Sequence, residues 1–174
     1  MKYPIIYGGI AGAIAIAIIS ATLAMDLPCH STSIFVGYLI MLAALSLIFV
    51  GVKRYRDVEC GGVIRFGRAF GLGVGMAVVA GVVYALGWEI FIAASGFDFM
   101  TDYTNDLVAG MRAEGAAQAA IDAKVAEMQE MKAMYDNPLL RMLMIFAEIA
   151  PVGLIVALIS AAVLRNPKML PARG

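Results

Sequence analysis

The run AFGLGVGMAVVAGVVYALGWEIFIAASGF occupies residues 69–97 and carries one charge, Glu89. A helix rises 1.5 Å per residue, so about 20 apolar residues cross the roughly 30 Å hydrocarbon core of a bilayer. The run is longer than that. It lacks the alternation of a membrane-barrel strand, and it reads as a spanning helix. Three other stretches read the same way, which places four spans at about 4–25, 33–52, 68–94 and 141–164. The first two carry no charge, and the fourth carries Glu148 beyond Arg141 at its start. The expected fold class is all-α: a polytopic membrane protein of four transmembrane helices in a single membrane domain.

Composition supports this reading. Of the 174 residues, 62 % are hydrophobic and 15 % charged, against about 45–50 % and about 25 % in soluble domains. A chain this short has no interior large enough to hide that excess, so the lipid bilayer is its first partner. Thirteen basic and thirteen acidic residues give zero formal net charge, which excludes an overall basic nucleic-acid binder and an acidic disordered chain.

Orientation follows from the basic residues, which favour the cytoplasmic side. Lys53, Arg54, Arg56, Arg65 and Arg68 fall in the linker 53–68. With Lys2 and the tail residues Arg165, Lys168 and Arg173 they make nine of the thirteen, all on one face if there are four spans. The opposite face receives Asp26, His30 and the acidic segment before the fourth span. Both termini are therefore expected in the cytoplasm. Lys2 and Thr22-Leu23-Ala24 imitate a cleaved signal, but the apolar run is too long and another span follows. Cys29 and Cys60 fall on opposite faces, so they cannot form an intramolecular disulfide. The five linker cations would also meet anionic lipid headgroups.

Small residues every fourth position let helices approach closely in lipid, where apolarity alone drives no association. Gly67, Gly71 and Gly75 make one such stripe, and Ala77, Gly81 and Ala85 another. Gly8 and Gly12 repeat the spacing in the first span, and Gly153, Ala157 and Ala161 in the fourth. Packing of the four helices on each other uses these stripes, and any stripe left over could carry a second copy or another membrane protein.

Glu89 and Glu148 are the candidate intramembrane site, because an ionisable group within a span is costly and marks function by default. Both lie about 8–9 Å inside the same end of their spans, counted at 1.5 Å per residue. Antiparallel packing could bring them level, with a proton or cation between them. Arg141 reaches Glu148 only by a long stretch. Pro151 frees a carbonyl beside Glu148 and is expected to bend the helix. Trp88 adjoins Glu89 at the aromatic end of the third span, where rings favour the headgroup region. The blander alternative is that each carboxylate bonds to a neighbouring helix or snorkels to the interface.

Between the third and fourth spans, 99–137 is too polar to cross. Leu107 and Met111 make one apolar face, and Ile121, Val125, Met128 and either Met131 or Tyr135 a second at helical spacing, with Gly115 between them. An amphipathic helical hairpin is expected, ending at Pro138. Its methionines suit packing better than Cu(I) binding. No HExxH, GxSxG, CxxC or P-loop pattern occurs. No metal or cofactor is expected, and no enzyme activity.

The stretches CGGVIRFGRAFGLG and YALGWEI, then MKAMYDNPLLR and FAEIAPVGLIVALISAAVLR, resemble the bacterial domain-of-unknown-function family 4199 of small four-helix membrane proteins. The resemblance covers nearly the whole chain. It implies four spans with an outer helical segment between the third and fourth, and it implies no reaction. The family motif includes Glu89 and Glu148. The expected function is that of a non-enzymatic membrane scaffold or accessory component. The alternative is a small proton- or cation-coupled transporter or channel subunit using the two glutamates.

Overall fold

A computed structural model describes residues 2–24 and 34–171. Asp26, Cys29, His30 and Arg173, which enter the topology reading above, lie outside the described residues.

The described residues are helical, with no strand among them. A π-helical turn, Pro4–Gly8, opens the first span and continues as α1 (Gly9–Ala24). The second span is two helices, α2 (Ile34–Leu45) and α3 (Leu47–Glu59). They meet at Ser46, whose hydroxyl donates back to the Ala43 carbonyl at 2.6 Å, a competing bond of the kind that bends helices. The third span is α4 (Phe66–Ser95). The hairpin is α5 (Phe99–Ala113) and α6 (Gln118–Tyr135), and the fourth span is α7 (Pro138–Leu164). Four stretches are long and apolar enough to cross a membrane: Pro4–Leu23, Val36–Glu59, Phe66–Ser95 and Pro138–Leu164. The chain is thus an all-α polytopic membrane protein.

Local signals set the element ends. Gly96 closes α4 with a φ of 64°, a left-handed cap that favours glycine. Gly115, with a φ of 76°, sits between α5 and α6. Asn137 caps α7 by accepting from the N–H groups of Leu139 and Leu140, and Pro138 occupies a first turn that needs no N–H. The second-span helix outlasts its apolar stretch and carries Lys53, Arg54 and Arg56 on α3 itself. Lysine and arginine are good helix formers, so charge ends the span without ending the helix.

Helix α4 is the centre of the bundle. On one side α7 packs antiparallel to it, with steps of four residues in register. A Cβ built on Gly73 would stand 2.8 Å from Ala157 Cβ, and one on Gly153 would stand 2.8 Å from Ala77 Cβ. One on Gly81 would meet the Phe146 ring at 2.6 Å and Ile149 at 3.3 Å. On the other side the first span runs parallel to α4. Gly8 lies against the Met76 carbonyl oxygen and Gly12 against that of Ala80, each too close for any side chain.

Two glycines of the expected packing set do not pack: Gly67 and Gly71 face open space, with nothing within 4 Å of an added Cβ. Gly75 makes ordinary contact with Pro4. The close stripe passes through Gly73 instead, because the helix is rotated to place Gly73, Ala77 and Gly81 on α7.

The surface is the reverse of a soluble protein's. Ile5, Ile10, Leu42, Val78, Val82, Leu143, Leu154 and Leu158 are exposed. Arg56 and Ser160 are the buried polar side chains among the described residues. The exposed rows suit contact with lipid tails.

Candidate functional site

The two ends of the bundle differ in chemistry. At one end Lys2 pairs with Glu59 at 3.2 Å, and Tyr3 donates to the same carboxylate at 3.0 Å. Arg56 is fully buried there. It donates to Asp57 at 2.7 Å, to the Met169 carbonyl at 2.9 Å and to that of Leu170, so it clamps the tail beyond α7 against α3. This corrects the expectation that Arg56 meets lipid headgroups: a guanidinium supplies five donors in a planar fork, and protein oxygens take them. Lys53 is bound to Asp57 at 2.5 Å, and Arg68 donates to the Tyr55 hydroxyl and stacks 5.3 Å from its ring. Arg54, Arg65 and Arg68 are exposed, so of the five they are placed to reach headgroups.

At the other end the hairpin is fastened to the spanning helices. Arg141 donates from Nε to Glu89 at 2.7 Å and from Nη2 to the other carboxylate oxygen at 2.5 Å. It also donates to the Tyr135 carbonyl at 3.1 Å, and its guanidinium lies 5.4 Å from the Tyr135 ring. Two parallel bonds to one carboxylate form the strongest arrangement an arginine makes. The Trp88 indole N–H donates to the Tyr135 hydroxyl at 2.6 Å, and both rings are buried. Burial pushes the Tyr135 hydroxyl up to about 12, while the Trp88 bond and the Arg141 charge act against that rise. Within the hairpin, Lys132 on α6 reaches back to Asp98 and Thr101 at the start of α5. The Lys132 ammonium, aided by Thr101, holds the Asp98 carboxyl down to about 2.

Sequence reasoning offered two readings of Glu89, a level pairing with Glu148 or a bond to a neighbouring helix, and left Arg141 without a short-range partner. The structure gives Arg141 to Glu89. The signal was present in the sequence. Stepping the α4 stripe by fours from Gly81 leads through Ala85 to Glu89, and stepping α7 back by fours from Ile149 leads through Ile145 to Arg141. Trp88 faces the bundle and the hairpin and is only 5 % exposed, so it is a packing and hydrogen-bonding residue and not an interfacial anchor. Pro151 lies within α7, which continues through it as helix, and its side chain is on the exposed surface away from Glu148's cavity.

Glu148 lines a cavity of about 510 Å³ between α1, α2, α4 and α7, roofed by α5 and α6. Among the described residues its carboxylate has no hydrogen bond and no ion pair. Tyr84 and Trp88 of α4, Phe99 and Tyr103 of α5 and Tyr135 of α6 share the lining. Their rings are linked: Trp88 meets Phe99 edge-on at 5.4 Å, and Phe99 stacks on Tyr103 at 5.8 Å. Met100, Met131 and Met144 also line it, together with Ile19, Thr22 and Leu23 of α1 and Tyr38 and Met41 of α2. Glu89 and Glu148 both lie near enough to Tyr135 for their charges to act on its hydroxyl.

The model of a family described as protein of unknown function (DUF4199) matches residues 6–166. Comparisons with curated proteins and with solved structures find no match.

Proposed function

This chain belongs to the DUF4199 family, and we propose that it is a non-enzymatic component of the bacterial inner membrane that holds its outer hairpin as a docking platform. It crosses the bilayer four times with both termini in the cytoplasm. The positive-inside distribution supports that orientation. So does the meeting of Lys2, the α3–α4 turn and the C-terminal tail at one end of the bundle. Its partners are the lipid bilayer and either a second copy or another membrane protein, and no nucleic acid.

One observation carries the reading. Three polar pairs at the hairpin end are engaged in fastening: Glu89 with Arg141, Asp98 with Lys132 and Tyr135 with Trp88. Groups held this way fix a surface in place and are not free for proton transfer or nucleophilic attack. The platform they hold exposes Asp106, Glu114 and Glu130. Reversing these three charges to lysine should abolish rescue of a gene-deletion phenotype and remove a partner cross-linked in native membranes. Glu148→Gln should leave both intact.

A second reading, a small proton- or cation-coupled transporter or channel subunit, draws on Glu148 alone, which is accessible and, among the described residues, unpaired. The same experiment separates the two. If Glu148→Gln abolishes rescue and the charge reversal does not, the platform reading fails. Glu148-dependent ion flux in reconstituted vesicles would then establish the carrier.

A further inference from the structure

The Glu148 cavity has a composition that points to a ligand class. Its walls are aromatic and aliphatic, and its volume of about 510 Å³ falls in the range of small-molecule sites, about 300–1,000 Å³. Its described lining contains one ionisable acid, Glu148, and no lysine or arginine. Arg141, seven residues earlier on α7, is committed to both oxygens of Glu89, to the Tyr135 carbonyl and to the face of the Tyr135 ring. Glu148 opens onto this space, and among the described residues no cation faces it; a carboxylate bordered by apolar walls is costly to keep ionised. A ligand that brings a positive charge relieves that cost. Aromatic faces attract cations that have lost their water, quaternary ammonium ions above all, and Tyr84, Trp88, Phe99 and Tyr103 surround this space.

We propose that this cavity binds an amphiphile through one cationic group, an ammonium or its equivalent, with that charge on Glu148 and the apolar body against the Trp88, Phe99 and Tyr103 rings. The acid sets the sign of the charge, the rings favour a poorly hydrated cation, and the methionines adapt to the shape of the body. The site stands whether or not the protein moves its ligand across the bilayer, and it does not depend on the hairpin being a docking platform. The same chemistry has two sources: the headgroup of an aminophospholipid, or a free lipophilic cation.

The full chain, purified in dodecyl maltoside, should bind radiolabelled tetraphenylphosphonium saturably in equilibrium dialysis, at one per chain. Tetraphenylborate, of the same shape and opposite charge, should show no saturable binding when measured separately. Glu148→Gln, eluting as a single species, should weaken tetraphenylphosphonium binding at least tenfold. Tyr103→Leu should weaken it less, and Asp106→Asn on the outer face of the hairpin should not change it. Equal binding of the two ions by the wild-type chain would overturn the proposal, and so would undiminished binding by Glu148→Gln. The first of these outcomes needs no variant, so a Glu148→Gln chain that failed to fold would leave the proposal exposed. With binding established, added phosphatidylethanolamine distinguishes the sources. Competition assigns the site to a lipid ammonium, and its absence assigns it to a free cation; either result supports the cation site.

Discussion

Arg141 and Glu89 are 12 % and 21 % exposed, three and six residues from the ends of α7 and α4 at the hairpin side. Opposite charges so placed form a fastening whose parts are worth far less apart. Removing one leaves the other charge unpaired in a site of low polarity, which costs about 3–5 kcal/mol for a buried pair. Arg141→Gln should therefore destabilise strongly, and adding Glu89→Gln should recover part of the loss. Thermal unfolding of the single and double variants in detergent measures this, and additive losses would show that the pair is uncoupled. At this scale the sequence marked the costly residues but did not join Glu89 to Arg141. Glu89, Glu148 and Arg141 each stand out as charges in apolar runs. Which two meet depends on the register between α4 and α7, and that register is written in the small residues around Gly81 and Gly153, not in the charges. Arg56 was misread for a related reason: a cation next to a span looks like a headgroup contact until the tail folds back to supply carbonyls.

Helix faces obey the same rule one level up. In lipid the contact between two helices is chosen by how closely their backbones can approach, and α4 offers glycines on nearly every side. Periodicity picked out two stripes on α4, and the bundle uses the one through Ala77 and Gly81, extended back to Gly73, toward α7, and the carbonyls of Met76 and Ala80 toward Gly8 and Gly12, while Gly67 and Gly71 of the other stripe face open space. The spacing was legible, but the rotation was not, because it is set jointly by α1, α3 and α7. This yields a contrast between two glycines of the same chain. In Gly12→Ala the new methyl falls on the Ala80 carbonyl oxygen, a backbone atom that moves only if the helix moves. The cost should be about 1–3 kcal/mol, as for other overpacked sites. Gly71→Ala meets nothing within 4 Å and should leave stability unchanged or slightly raised. Reversible unfolding in mixed detergent–SDS micelles reads both, and equal losses would contradict the packing described. The hairpin was the element most fully legible, since Gly115 and the apolar positions Ile121, Met128 and Tyr135 lie where the turn and the buried face are found.

For the whole molecule, zero net charge is a sum over two unlike ends. Lys2, Arg54, Arg65 and Arg68 gather where α3 hands over to α4, and the acidic residues gather on the hairpin. The cost of carrying charge across the hydrocarbon core makes that separation decide how the chain sits in the membrane. Between Cys29 and Cys60 lies one crossing, Val36–Glu59, so the two thiols must answer from different sides. Cys60 is free, partly exposed and next to the Gly61-Gly62 turn, so it is reactive once a reagent reaches its side. A membrane-impermeant maleimide added to intact spheroplasts should label Cys29 and spare Cys60, and permeabilisation should then expose Cys60. Single-cysteine chains, Cys29→Ser and Cys60→Ser, assign each signal. Labelling of Cys60 alone from outside would invert the orientation and put the basic end outside, against the charge rule. Labelling of both from outside would deny that Val36–Glu59 crosses at all, and the four-span bundle with it.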